Sequence, residues 1–189
     1  SGEVLMKMVE NQVKPSQIMT KNALENTVTL RSALGGSLNA MIHLPALAAE
    51  LGLSLTWEEI AKITSKTPVL TAIVPNGDET VVDLHFAGGV PAVMKELAPV
   101  LHLEEKAADG RTWREVLAET EDGDRTTIHT MADPISKADG IQVLYGNLAP
   151  DGALVKTSAV PEDYRVFTGT AKVFDSEEDC YVAFREKQI

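Results

Sequence analysis

The spacing of the apolar residues changes once along this chain, near Pro134, and that change limits what it can fold into. Upstream, apolar residues recur at i+3 and i+4, the spacing of helices that bury one face. Downstream, "GIQVLYGNL", "ALVKTSAV" and "TAKVF" are short runs rich in Val, Ile and Leu and separated by turn residues, which predicts strands. The expected fold class is α/β with two domains. Residues 1–134 are helix-rich with a few strands, and residues 135–189 are built on strands.

Local signals punctuate the helical part. Val4, Leu5, Met8 and Val9 share a face over residues 3–13, and Pro15 breaks that pattern. Thr20 can cap a second helix that carries Leu24, Thr27, Val28 and Arg31 at helical spacing; Gly35 and Gly36 end it. Ser37 can cap a third, whose stripe of Leu38, Met41, Ile42, Leu47, Ala48 and Leu51 is broad enough to predict burial on most sides. Pro45 lies inside it and predicts a kink or a short first segment. Thr56 and Glu59 form a capping box for a fourth helix from Trp57. "TPVLTAIVP" reads as a strand, "PNGDE" as a turn, and "VPAVMKELAPVL" as a helix with Pro91 in its first turn. A polar stretch at 103–134 holds one short helix near residues 113–117. In the last part a turn at Pro150, Asp151 and Gly152 joins two strands, and "DSEEDCYVAFREK" is a capped helix with Cys180, Ala183 and Phe184 facing inward.

Charge and cysteine content exclude several functions. The net charge of −11 argues against a nucleic-acid partner, which needs clustered Lys and Arg. No apolar run has the roughly 18 residues of a membrane span, and "SGEVLMKMVE" lacks the basic start of a signal peptide. The one cysteine, Cys180, permits neither an internal disulfide nor a cysteine-based metal site, so a cytoplasmic location is expected.

Several residues could carry chemistry. "GGSLNAMIH" sets two glycines before a helix N-terminus, where free N–H groups and the helix dipole favour a carboxylate or phosphate. The same pattern serves equally as a tight loop for close packing, and it lacks the Lys of a Walker loop. His43 reads as a satisfied core histidine or as a ligand. Asp83, before Gly88 and Gly89, reads as a helix cap in preference to a metal ligand. "ADGRTW" reads as a solvated loop, and His102 and His129 have no metal-binding neighbours in sequence. Lys156 stands in a strand otherwise made of Ala, Leu, Val and Thr, as an edge lysine or as a functional one.

The stretches "ALGGSLNAMIHL", "VDLHFAGGVPAVMKEL", "GNLAPDGALVKTSAV" and "AKVFDSEEDCYVAF", in this order, closely resemble the dihydroxy-acid dehydratase / phosphogluconate dehydratase family. "KPSQIMTKNALENTVTLRSALGGS" fits the same family, and the resemblance is weakest at about 103–133. It implies removal of water from a 2,3-dihydroxy acid to leave a 2-keto acid, with an iron–sulfur cluster as Lewis acid and magnesium at the carboxylate end. It also implies that the chain holds the end of an N-terminal α/β domain followed by the first strands of a C-terminal β-barrel domain.

The resemblance places the cluster cysteines and the catalytic serine segment of the family outside these residues. The expectation is therefore an internal segment that binds no cofactor and is silent on its own, with no catalytic residue and no metal ligand assigned. Gly35, Gly36, Ser37, Asn39, His43 and Lys156 are the candidate substrate-binding residues. Leu38 stands where the family usually has Thr, and Val82 where it usually has Glu. The favoured substrate is 2,3-dihydroxy-3-methylbutanoate or its homologue, in branched-chain amino-acid biosynthesis; a sugar acid is the alternative, as is a truncated carboxylate-binding paralogue. Unpaired strand edges over residues 141–174 predict a homo-oligomer.

Overall fold

Thr20 accepts the Ala23 N–H at 3.1 Å and so starts the first long helix of the computed structural model, which describes residues 2–138, 141–156 and 160–189. The helices are α1 (Gly2–Glu10), α2 (Lys21–Ala33), α3 (Ala40–Glu50), α4 (Trp57–Thr64), α5 (Val81–Phe86), α6 (Gly89–Glu96), α7 (Trp113–Glu119) and α8 (Glu177–Arg185). Strands β1 (Ile141–Leu144) and β2 (Ala153–Lys156) pair antiparallel, with Ile141 opposite Lys156 and Leu144 opposite Ala153. The fold is thus a helix-rich α/β chain with a two-stranded sheet. It divides into two compact units, the first up to residue 158 and the second from residue 159.

Capping chemistry explains most helix starts. Thr56 and Glu59, Thr80 and Asp83, and Thr112 and Glu115 each form reciprocal capping boxes that open α4, α5 and α7. Ser176 accepts from the Asp179 N–H to open α8. The Glu59 carboxylate also receives Lys21 Nζ at 2.6 Å. The Lys21 hydrogen bond and then the Thr56 N–H hold the Glu59 carboxyl below its usual range. Because the folded value is depressed, this contact stabilises the fold above the ordinary carboxylate range and is lost as pH falls through the folded value. Glu59→Gln is therefore expected to flatten the acid side of the stability profile, read by urea unfolding at about pH 6 and about pH 3. An unchanged acid slope would refute the assignment.

Two apolar cores lie in the first unit, and α2 serves both. Leu24 and Val28 pack with Met41, Leu44 and Ile60 from α3 and α4. At its other end Ala33 joins Leu70, Leu84, Val93, Leu97 and Ile128. The hairpin meets the first of these cores through Leu154.

Five expectations are corrected. The segment "TPVLTAIVP" forms no strand: Val69 and Ile73 make only isolated bridges to Ser136 and Glu79. Its backbone is satisfied elsewhere, with the Leu70 and Thr71 N–H groups both donating to the Ala33 carbonyl at 2.8 and 3.3 Å. Helix α3 buries only Met41, Leu44 and Ala48, while Ile42 is 63% exposed, because one face alone packs into the core shared with α2 and Ile60. Pro45 neither breaks nor shortens it; α3 runs as one element from Ala40 to Glu50. In the second unit "TAKVF" has no strand partner among the described residues, and Val173 is exposed. Of the three α8 residues expected to face inward, only Ala183 is buried; Cys180 and Phe184 are exposed.

Candidate functional site

The glycine loop begins where α2 ends. The Gly35 N–H donates to the Ser32 carbonyl at 3.1 Å and the Gly36 N–H to the Arg31 carbonyl at 2.9 Å, with Gly35 at φ +60°. Arg31 is buried, and its guanidinium donates Nε to the Ser37 carbonyl at 3.2 Å and Nη2 to the Gly36 carbonyl. A Cβ on Gly36 would lie 3.0 Å from Arg31 Cγ and 3.1 Å from the Arg31 carbonyl oxygen, which explains why glycine stands there. The third loop carbonyl, that of Gly35, accepts from Asn76 Nδ2. Side chains thus collect the carbonyls of residues 35 to 37.

The loop amides behave differently. Ser37 Oγ accepts from the Asn39 N–H at 3.2 Å, and the Asn39 side chain makes no cap bond of its own. Among the described residues the Ser37 and Leu38 N–H groups meet no acceptor. Two successive amides are thereby left at the N-terminal end of α3, where the helix dipole is positive.

Lys156 reaches the same loop through Asn76. Its Nζ donates to Asn76 Oδ1, and the Asn76 amide donates onward to the Gly35 carbonyl. Of the candidate residues, Gly35, Gly36 and Ser37 form one continuous loop, Asn39 follows it, and Lys156 is tied to it through one side chain. His43 is exposed on α3, and no side-chain hydrogen bond joins it to the loop. Asn76 is the residue that sequence reasoning missed. Its "PNG" setting already accounts for an asparagine as a turn former, which hides its second role.

A pocket of about 290 Å³ adjoins the loop. Leu38, Ile42, Trp57, Val143 and Leu154 line it, and Asn39 is the polar side chain at its wall. Leu154 and Lys156 lie two residues apart on β2 and so project from one face of the hairpin, about 7 Å apart along the strand.

The other residues with possible chemistry are engaged structurally. The Asp83 carboxylate accepts from the Thr80 hydroxyl and N–H, each at 2.7 Å, and those bonds hold its carboxyl below the usual range. It completes the capping box that opens α5. His102 Nε2 sits 2.9 Å from Glu25 Oε2, and Asp109 pairs with Arg111 within its own loop.

The cofactors implied by the family resemblance find no fitting donor set in these residues. The sequence has one cysteine, too few for a cluster held by three thiolates. Among the described residues no group of three or more His, Cys, Asp or Glu side chains is placed to hold a metal ion. Among them also, no helix is long and apolar enough to cross a membrane.

Comparison with known proteins places this chain in one family. Residues 1–116 match the family model described as dihydroxy-acid/6-phosphogluconate dehydratase N-terminal, and residues 126–189 match its C-terminal counterpart. The chain is 44% identical over 191 residues to a protein of Ruminiclostridium cellulolyticum named dihydroxy-acid dehydratase, covering 100% of this chain and 35% of that protein. A protein of the same name from Methanosphaera stadtmanae is 40% identical over 190 residues, again 100% of this chain and 35% of the relative. A third, from Caldanaerobacter subterraneus, is 44% identical over 185 residues, 97% of this chain and 33% of the relative. The chain belongs to the dihydroxy-acid/6-phosphogluconate dehydratase family, and it spans about a third of the length of these curated relatives.

Proposed function

We propose that this chain is the substrate-side segment of a hydro-lyase that converts a 2,3-dihydroxy acid into a 2-keto acid. The reaction removes the C2 proton and the C3 hydroxyl as water, and the resulting enol becomes the keto acid. The part assigned to this chain is to hold the acid. The Ser37 and Leu38 amides and the Lys156 ammonium receive the carboxylate, with Gly35, Gly36 and Asn39 shaping the loop. We assign His43, exposed on α3, to the rim of the site.

One observation carries the reading: the loop residues Leu38 and Asn39 line an apolar pocket together with Leu154, and Lys156, two residues further along β2, is tied to the same loop through Asn76. That pocket suits the branched alkyl end of 2,3-dihydroxy-3-methylbutanoate or its homologue, and so favours a role in branched-chain amino-acid biosynthesis. The hydroxyls of a sugar acid would lose water there and gain few partners. Leu38, in place of the usual Thr of the family, makes the wall more apolar. We place the start of the barrel domain near Pro134 and the protein in the cytoplasm. Exposed Tyr164, Val166, Phe167 and Val173 in the second unit support a homo-oligomer.

Alone, this chain should bind the acid without converting it, because its described residues offer no donor set for a Lewis acid. The test is one anaerobic sample of the full chain with iron, sulfide and magnesium, titrated with sodium 2,3-dihydroxy-3-methylbutanoate. The expected result is saturable shifts of the Ser37 and Leu38 amide NMR signals with no keto acid formed. Keto acid production would overturn the claim that the chain is silent; absence of any shift at the loop would overturn the carboxylate site.

A further inference from the structure

We infer that Asn76 is a positioning residue, which couples the glycine loop to Lys156 so that both address the same carboxylate. The inference rests on the carboxylate reading above and adds a residue that the reading does not assign. Asn76 is held from behind. Its N–H donates to the Ile73 carbonyl at 2.8 Å, and the next residue, Gly77, packs so closely on Ala72 that a Cβ there would lie 2.2 Å from the Ala72 carbonyl oxygen. The turn therefore presents the Asn76 amide from a fixed base.

The amide then uses both its ends. Nδ2 donates to the Gly35 carbonyl, and Oδ1 accepts from Lys156 Nζ. Only this orientation satisfies both partners, because a flipped amide would set oxygen against the carbonyl and NH₂ against the ammonium. A Cβ on Gly35 would lie 3.2 Å from Asn76 Nδ2, so the loop and the asparagine touch without slack. An ammonium has three donors; one is taken by Asn76, and the others meet no acceptor among the described residues. Lys156 is thus fixed at one bond and free at the rest. Aspartate would fail in this position for a stated reason: it would set a carboxylate against the Gly35 carbonyl and pair off the lysine charge. Serine or alanine could not reach both partners.

The experiment compares wild-type full chain with Asn76→Ala, Asn76→Asp and Lys156→Ala. Each is titrated with sodium 2,3-dihydroxy-3-methylbutanoate, read at the Ser37 and Leu38 amide signals, and the Asn76 side-chain NH₂ signal is recorded without ligand. Asn76→Ala is expected to weaken binding about tenfold, Asn76→Asp more than Asn76→Ala, and Lys156→Ala to abolish saturation. Asn76 is exposed, so its two variants should keep the wild-type unfolding midpoint. A spacer with a merely structural role would not rank Asp below Ala. If Asn76→Ala binds as wild type while Lys156→Ala does not bind, the positioning role falls and the carboxylate site stands. If no protein binds the acid, the carboxylate reading falls, and the side-chain signal decides the coupling. A shift of the Asn76 NH₂ pair in Lys156→Ala supports it, and an unmoved pair overturns it.

Discussion

Leu70→Ala is expected to lower the unfolding free energy by about 2–5 kcal/mol, the range for removing a fully buried leucine and leaving a partly collapsed cavity. Leu70 is wholly buried and sits among Ala33, Leu84, Val93, Leu97 and Ile128. Its N–H is also the bond that ties this segment to the end of α2. A domain has only about 5–15 kcal/mol in total, so the loss is a large share. Urea unfolding followed by circular dichroism measures it, with Leu148→Ala as control. Leu148 is 98% exposed, and its truncation should change stability by less than about 0.5 kcal/mol. Equal effects at the two positions would refute the placement of the core.

Gly77→Ala is expected to act on fold and site together. The added methyl would lie 2.2 Å from the Ala72 carbonyl oxygen and 2.6 Å from Ala72 Cβ, both too close for any real contact. The obstruction includes backbone, so the turn itself must move, at a cost of about 1–3 kcal/mol. That movement carries the neighbouring Asn76 away from Gly35 and Lys156. Carboxylate affinity should then fall at least as far as in Asn76→Ala, about tenfold. Gly146→Ala is the control, since nothing lies within 4 Å of a Cβ there. It should be neutral, or stabilising by about 0.4–1 kcal/mol through the unfolded chain. A Gly77→Ala protein with wild-type stability and wild-type binding would remove the basis for a fixed turn.

Elements whose causes are local could be read from the sequence. Thr20, Thr56 with Glu59, and Ser176 are caps because a hydroxyl and the first-turn N–H groups lie within a few residues of each other. The hairpin between β1 and β2 was legible from its turn residues and alternating apolar pattern. Two of the failures turned on partners remote in sequence. "TPVLTAIVP" has strand composition, yet a strand needs a neighbour in register, and its neighbour is the end of α2. Helix α3 has apolar residues all round, but how many faces are covered depends on what packs there. The short helix α5 lies in a stretch read only for its aspartate, although Thr80 and Asp83 do spell a capping box.

The candidate site divides in the same way. The loop glycines are visible because glycine pairs before an apolar helix are rare enough to notice. Lys156 stands out against its apolar strand. What joins them does not, because Asn76 lies 41 residues from Gly35 and 80 from Lys156. No spacing rule reaches that far.

Asn26 forms another such long bond, with a consequence for synthesis of the chain. Its buried side chain gives Nδ2 to the His102 carbonyl at 3.0 Å and takes the His102 N–H at 2.8 Å, across 76 residues. Glu105 adds bonds to Thr20 and Asn22 on the same end of α2. On a ribosome, α2 emerges long before these partners exist. Until residue 105 has cleared the exit tunnel, Asn26 can only be hydrated, and the apolar stripe of α2 lacks its lock. The nascent helix is thus a species that a chaperone or protease can engage, and the closing of a loop of this length, rather than helix formation, sets when that exposure ends.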